Sequence, residues 1–582
     1  MARDKEEIKK FLLEDRLGDS IKLGTVSGVF TTKPALIRWI DENVPEILLI
    51  TTKSYQVNPN LGNSPPIIAE LAQGCFGNAV GLRNPGMDVG YAELSAMLAD
   101  RPLRSLLNIS LSADNIDDFK RLIRKFEGIA DILELNFSCP HAKPGFGASI
   151  GSDVKVVSEY IGELRKTTDA LLFPKLTPNV NNIGEIAKAA IDAGADGITA
   201  VNTFGPTVFV FHHNGVDLPI LYNPNGHKGG RSGRWIAEPS LESIAEIRKA
   251  IGDNYPVIGM GGVFSGSDII HMKEAGANAV CLGTVFALIK RQDLIPEFFS
   301  SLMDDARNQT SSADHFLSKG RIAEYKPCVV KEINELDHDL RIIKLDKNVE
   351  YEAGQYGFLW IPGIGERPFS ITGDNDITFL IRRRDYDPEN KKGLVTNGLF
   401  ELKVGDDVMF RGPYGASPMI PDKNQAVIVA GGTGLAVVPR LAENLNKNKK
   451  EVIVFHGVTD KKHKAFKEEI SQYGLYIPVV DRTTKGEVLN TLKNYLNPSR
   501  LEDSCFYFIG PPKMMKKGMD LVASKGVSLD MIYASVETNT MCGVGMCGEC
   551  VCDDTMLCKQ GTFVSLQYIT DHKVDIIKLL PE

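Results

Sequence analysis

The sequence predicts a multidomain α/β protein: an N-terminal (β/α)8 barrel, an antiparallel β-barrel, a second α/β domain and a small cysteine-rich C-terminal domain. Three observations predict it. Eight short apolar runs alternate with amphipathic stretches over roughly the first 310 residues, the number of units that closes such a barrel. The pattern then changes to short alternating runs with glycine turns, and afterwards returns to strand–helix alternation. Finally, four of the ten cysteines fall within Cys542–Cys552.

The eight runs are IKLGTVS (21–27), EILLITTK (46–53), SLLNIS (105–110), DILELN (131–136), LLFPKL (171–176), DGITAVN (196–202), PVIGMGG (256–262) and NAVCLGT (278–284). Stretches such as IDDFKRLIRKF and IGEIAKAAIDAG between them have helical period. Polar or glycine residues end the runs: Ser27, Lys53, Asn136, Lys175, Asn202, Gly261 and Gly283. Barrel active sites form on that face. Strand capping accounts for one such residue more readily than for two lysines, two asparagines and two glycine turns together.

The polar stretch NQTSSADHFLSKGR (308–321) reads as a linker. The expected boundaries are a barrel at 1–312, a linker at 313–324, a β-barrel at 325–422, an α/β domain at 423–535 and the cysteine domain at 536–582. LRIIKLD, QYGFLWIPG, ITFLIRRR and DDVMFRGPYG supply β-barrel strands; QAVIVAGGTG, EVIVFHGV, LYIPVVD and CFYFIGPP supply those of the second α/β domain.

Hydrophobic residues make up 43% and charged residues 24%, enough to build full cores. A net charge of −8 with no basic run excludes nucleic acid as a main partner. The start, MARDKEEIKKFLLEDR, has no apolar signal core, and no run approaches the ~18 apolar residues of a membrane span. A cytoplasmic protein with reduced thiols is expected, so a disulfide framework does not explain the cysteines.

Their spacing does. Cys542-x4-Cys547-x2-Cys550, with Cys558 beyond, is the plant-type [2Fe–2S] pattern. Gly543, Gly545 and Gly548 let the loop curl so that N–H groups can face sulfur. Zinc sites show paired C-x2-C knuckles, and this segment has one such pair. Cys552 competes with Cys558 as the fourth ligand; the turn-like LCKQGTFV favours Cys558.

This segment resembles the electron-transfer subunit of NAD-dependent (class 1B) dihydroorotate dehydrogenases, which implies an FAD barrel, an NAD domain and a C-terminal [2Fe–2S] cluster in that order. The family's last ligand usually sits further downstream than Cys558. Arg367-Pro-Phe-Ser370 resembles the Arg-x-x-Ser flavin motif of the ferredoxin-reductase superfamily. An arginine fork pairs with pyrophosphate, and the serine bonds the flavin ring. Gly393 and Thr396 in GLVTNG resemble the second FAD-phosphate loop. Gly431, Gly432, Thr433 and Gly434, between strand and helix, allow a dinucleotide pyrophosphate to approach closely. FIGPPKMM, with Gly510 and Pro511, resembles the Cys-Gly-Pro-x-x-Met nicotinamide motif, with Ile509 in the cysteine's place.

In the barrel, ELNFSCPHAKPGFGASIGSD (134–153) resembles the Asn-x-Ser-Cys-Pro segment of class 1 dihydroorotate dehydrogenases and implies that Cys139 is the catalytic base. Class 2 enzymes, which pass electrons to membrane quinone, have serine there. An ordinary thiol pKa of ~8.5 suits a general base near working pH. The TTKS match implies that Lys53 and Ser54 contact FMN, with Lys53 also at the substrate carboxylate; Lys175 offsets charge on the reduced flavin. NAVGLRNPG matches the substrate loop: Asn78 bonds the pyrimidine, and Val80, Gly81 and Leu82 offer N–H groups to the carboxylate. Asn136, Asn202 and Thr203 complete a polar ring, whose specificity follows from the penalty on unpaired buried groups. Gly261, Gly262, Gly283 and Thr284 are the implied FMN-phosphate residues, with Ser27, Asn108 and Gly233 as further FMN contacts.

Two features depart from the family. His141 stands where asparagine is usual, and the segment 203–235 matches poorly. SCPH followed by KLTPNV also resembles the pyrimidine-reducing domain of dihydropyrimidine dehydrogenase, whose uracil or thymine has no carboxylate. Lys53 and NAVGLRN favour orotate. A non-catalytic barrel serving a reductase as a scaffold is the remaining alternative; the presence of Cys139, Lys53 and Asn136 disfavours it. The resemblance implies a fused enzyme that oxidises dihydroorotate, with electrons moving from FMN through [2Fe–2S] and FAD to NAD+, and a homodimer formed through the barrel.

Overall fold

The computed structural model describes residues 3–579 except 15, 17, 19, 138–149, 374–375, 388–392, 459–464, 481–486 and 497–500. The chain divides into two compact units: Met1–Glu324 with Val544–Gly548, and Tyr325–Gly543 with Glu549–Glu582.

The first unit is a closed barrel of eight parallel strands: β1 (Leu23–Thr25), β2 (Ile47–Thr51), β3 (Leu106–Leu111), β4 (Ile132–Asn136), β5 (Leu172–Lys175), β6 (Ile198–Ala200), β7 (Val257–Met260) and β8 (Ala279–Leu282). Seven lie inside one of the eight apolar runs, and β3 extends one residue past its run, to Leu111. Strand alternation layers the interior, because residues two apart share a face. Leu106, Ile132 and Phe173 form an apolar cluster with Ile8 and Leu12 of the N-terminal helix Lys5–Leu13. That helix starts at Asp4, whose carboxylate accepts from the N–H groups of Glu6 and Glu7. Two and four residues on, the same strand faces carry Asn108 and Ser110, Glu134 and Asn136, and Lys175. The barrel is therefore apolar at the helix-plugged end and polar toward its C-terminal mouth.

A four-stranded antiparallel sheet, ordered Ile68–Ala72, Cys75–Asn78, Lys228–Gly233, Phe204–Val208, stands beside that mouth. The hairpin Val210–His213/Val216–Pro219 turns at Asn214 and Gly215, both at positive φ, as a two-residue Asn-Gly turn requires. The stretch read as a linker packs onto the barrel. Ala313 and Phe316, in a 3-10 turn at Ser312–Phe316, are buried, and the Glu70 carboxylate accepts from the N–H groups of Ile322 and Ala323.

The second unit begins with an antiparallel half-barrel, ordered Gly365–Ser370, Tyr356–Ile361, Asp407–Tyr414, Lys326–Asp337, Leu340–Leu345, Thr378–Arg382. A second sheet follows, ordered Leu475–Val480, Glu451–Val458, Gln425–Gly431, Ser504–Ile509, Ile532–Ser535, Phe563–Ser565; all pairs are parallel except the last. Gln425–Gly431 and Ser504–Ile509 are buried throughout, as central parallel strands are when helices cover both faces. The tail adds Phe563–Ser565 to this sheet, and Val564, Leu566 and Ile569 join its core. No helix among the described residues is long and apolar enough to cross a membrane.

Candidate functional site

The barrel mouth opens into a cavity. Ser27, Lys53, Ser54, Asn78, Val80, Gly81, Leu82, Asn136, Lys175, Asn202, Thr203, Gly233, Gly261, Gly262, Gly283 and Thr284 all line it. Of the barrel residues singled out from sequence and described, Asn108 alone is not among its lining. It sits two residues before Ser110 on the same strand face, one layer deeper, and its Nδ2 donates to Thr51 Oγ1 at 3.2 Å. Cys139 and His141 lie outside the described residues.

Strand register assembles the polar ring. Asn136 pairs with Lys175 across β4 and β5, and Ser110 with Glu134 across β3 and β4. Asn136 Nδ2 donates to Ser54 Oγ at 3.1 Å, and Ser54 Oγ lies 2.8 Å from Ser110 Oγ and 3.2 Å from Ser27 Oγ. Lys53 and Lys175 are both buried, at 8% and 4% exposure, so each brings a cation into low-dielectric surroundings where its field is strong. The Cys281 thiol on β8 also lines the cavity. Burial, and next the charge of Glu134, push its pKa up, while Lys175 pulls it down.

The loop 80–82 is held from its carbonyl side. Val80 O accepts from Asn63 N at 3.0 Å, Gly81 O from Asn60 Nδ2 at 3.1 Å, and Leu82 O from Asn84 Nδ2 at 2.8 Å. Each peptide plane so fixed carries the next residue's N–H at its opposite end. Gly81 and Leu82 both have positive φ, a backbone form that groups N–H donors into anion-binding concavities. Asn60 and Asn63, in the polar segment before NAVGLRN, escaped the sequence reading, and Asn84, the last residue of that motif, had no role assigned to it. Asn78 Nδ2 bonds Gly230 O and Ser232 Oγ, each at 3.2 Å, which ties the loop to the GGRSG strand.

At the end of β7, Gly262 (φ 74°) would bring a Cβ within 2.5 Å of Ala237, and a Cβ on Gly261 (φ 125°) would fall 2.2 Å from Ser240 Oγ. A glycine cradle at this end of a barrel, with two buried lysines and a hydroxyl–amide ring, fits a flavin mononucleotide.

In the second unit, helix Leu394–Glu401 packs on the strands Tyr356–Ile361 and Gly365–Ser370. It carries Thr396 and starts from Gly393, beside the strand that holds Arg367 and Ser370. Gly393 (φ 73°) has no room for a side chain: a Cβ would meet Asp385 O at 2.5 Å. The parallel sheet reverses strand order between Gln425–Gly431 and Ser504–Ile509, the switch point where such sheets bind nucleotides. Gly431, Gly432, Thr433 and Gly434 follow one of these strands, and Gly510 and Pro511 the other. The loops interlock: a Cβ on Gly510 would sit 2.6 Å from Gly431 O, and one on Gly434 would sit 2.9 Å from Ile509 O.

Cys542, Cys547, Cys550, Cys552 and Cys558 are all buried, and no disulfide joins them among the described residues. Tyr356 and Lys559 each feel the charges of Cys542, Cys550 and Cys558 together. Leu557 N donates to Cys550 O at 2.9 Å, which draws the segment of Cys558 to that of Cys550. Cys552 sits instead in the apolar core, its thiol pushed up to about 12 by burial and by Asp553 and Asp554. The donor chemistry of Cys542, Cys550 and Cys558 suits an iron–sulfur centre.

Comparison with known proteins agrees with this geometry. Residues 21–297 match the family described as "Dihydroorotate dehydrogenase", and residues 327–418 match "Oxidoreductase FAD-binding domain". Similar curated proteins named "Dihydroorotate dehydrogenase B (NAD(+)), catalytic subunit" come from Methanopyrus kandleri (38% identity, 40% of this chain, 73% of that one), Methanocaldococcus jannaschii (38%, 40%, 74%) and Pyrococcus horikoshii (36%, 45%, 81%). The chain belongs to the dihydroorotate dehydrogenase family and carries an oxidoreductase FAD-binding domain after its barrel.

Proposed function

We propose that this protein is an NAD-linked dihydroorotate dehydrogenase of pyrimidine biosynthesis whose catalytic and electron-transfer modules share one polypeptide. The net reaction is dihydroorotate + NAD+ → orotate + NADH + H+. The observation that carries the reading is the cavity at the barrel mouth, where the implied substrate and FMN residues meet. The relatives named as NAD-dependent catalytic subunits support it, as does the FAD-binding domain on the same chain.

Cys139 is the proposed base for the C5 proton. The N–H groups of Val80–Leu82 and the Lys53 ammonium receive the substrate carboxylate; Asn78, Asn136, Asn202 and Thr203 bond the pyrimidine edge. Lys175 stands at the flavin with its positive charge. Ser27, Ser54 and Gly233 border the FMN ring, with Asn108 beneath it, and Gly261, Gly262, Gly283 and Thr284 cradle its phosphate. When bound, FMN supplies the C6 hydride acceptor, and FAD with a [2Fe–2S] centre supplies the means of moving electrons to NAD+. Arg367, Ser370, Gly393 and Thr396 are the proposed FAD residues, Gly431–Gly434 with Gly510 and Pro511 the NAD residues, and Cys542, Cys547, Cys550 and Cys558 the cluster ligands. The chain acts in the cytoplasm as a homodimer through its barrel.

Anaerobic titration of the purified chain with dihydroorotate tests this. Flavin and iron–sulfur absorbance are expected to bleach together, and dihydrouracil in its place is expected to leave both unchanged. Bleaching by dihydrouracil alone overturns the substrate assignment; a preparation holding no iron overturns the electron path.

A further inference from the structure

The barrel interior contains a carboxylate for which the proposed chemistry has no use. Glu134 is fully buried and lies on the same face of β4 as Asn136, one layer deeper. Its Oε1 accepts from Ser110 Oγ at 2.8 Å and lies 3.7 Å from Lys175 Nζ. Its Oε2 is buried with no hydrogen-bond partner among the described residues. An apolar residue would fill this position at less cost, since desolvating a charge is compensated only when its partners are close and complete. Glu134 does not line the cavity, but Lys175 does. It therefore reaches the reaction through its neighbours.

Two connections lead outward. One is the ion pair with Lys175, across the diagonal of the β4–β5 register. The other runs through Ser110 Oγ to Ser54 Oγ, which also receives Asn136 Nδ2. We propose that Glu134 is a positioning residue that holds the Lys175 ammonium at the cavity floor and trims the positive field this lysine exerts on the barrel-bound flavin. This rests on the functional reading above. A flavin gains negative charge on reduction, so a nearby cation raises its potential and an anion behind that cation lowers it.

The test uses the full chain reconstituted with FMN and a spectroelectrochemical titration of the barrel flavin. Glu134→Gln is expected to move the midpoint in the positive direction, and Glu134→Asp to stay nearer wild type. In a Lys175→Gln background the Glu134→Gln shift should fall to less than half, because a pair that acts as a unit is not additive. An unchanged midpoint in Glu134→Gln, or an equal shift in both backgrounds, overturns the proposal. If Glu134→Gln does not fold, Ser110→Ala decides. Without the hydroxyl, Glu134 is free to close on Lys175, and the midpoint should move negative; no movement overturns the proposal. A wild-type chain that takes up no FMN ends the functional reading and this proposal together. A chain reduced by dihydroorotate whose variants keep the wild-type midpoint ends this proposal alone.

Discussion

Arg411 and Glu366 form a bidentate ion pair inside the flavin half-barrel, with Nε to Oε2 at 2.9 Å, Nη2 to Oε1 at 2.6 Å and neither side chain exposed. Tyr325 donates to the same carboxylate at 2.7 Å, and Arg411 Nη1 donates to the Cys542 carbonyl at 2.8 Å. The pair thus ties the first cysteine of the tail to the half-barrel. The Glu366 charge, with Tyr414 and Tyr325, holds the guanidinium pKa well above its ordinary value despite the opposing pull of burial. Losing one partner strands a buried charge. Arg411→Met should lower stability by about 3–5 kcal/mol, and Arg411→Met/Glu366→Leu by less than either single change. Denaturant unfolding of the three variants measures this.

Cys139→Ala should lower the turnover of dihydroorotate by about 10²–10⁴-fold, the usual contribution of a general base. NADH oxidation with an artificial acceptor should stay at the wild-type rate, since the proposed function assigns that half of the chemistry to the second unit. Parallel steady-state assays of the two reactions decide it.

Two cysteines six residues apart should behave in opposite ways. Cys558 shares its surroundings with Cys542 and Cys550, whereas Cys552 packs with Leu557, Val564 and Ile569. Cys558→Ala should lose iron and acid-labile sulfide. Cys552→Ala should keep both, at a packing cost of about 1 kcal/mol. Iron and sulfide assays per chain distinguish them, and the reverse outcome would exchange the two roles.

Glu70 gives the barrel unit an acid-side pH dependence. Burial raises its pKa above the ordinary 4.5, although the N–H groups of Gly74, Ala323 and Ile322 pull the other way. The folded state therefore keeps this proton to higher pH than the unfolded chain does. The resulting stability is full below the unfolded value and is lost as pH rises through the folded one. Thermal midpoints across that window should fall with pH in wild type and vary less in Glu70→Gln.

Much of this architecture was legible in the chain. All eight barrel strands coincide with apolar runs, β3 exceeding its run by one residue, because a strand buried on both sides leaves an unbroken local signal. The antiparallel sheet beside the mouth left none. Phe204–Val208 is broken by Gly205 and Pro206, and Cys75–Asn78 pairs with Lys228–Gly233 across some 150 residues, a partnership no local period encodes. The hairpin after it did leave a mark, the Asn-Gly between VFHH and VDLP, which was passed over. In the site, residues that project into the cavity sit in motifs and could be read. Glu134 and Ser110 could not, because they act from beneath; only their spacing of two from Asn136 and Asn108 hinted that they face inward.

The strand Phe563–Ser565 is the last in its sheet and runs against Ile532–Ser535. Cutting the chain before it would strip the backbone donors and acceptors of Ile532–Ser535 of their partners and leave an open template for another molecule to add to. The tail therefore cannot be trimmed as a detachable appendage. A truncation meant to delete only the tail cysteines would yield a protein that self-associates, and any loss of activity would report clumping and not chemistry.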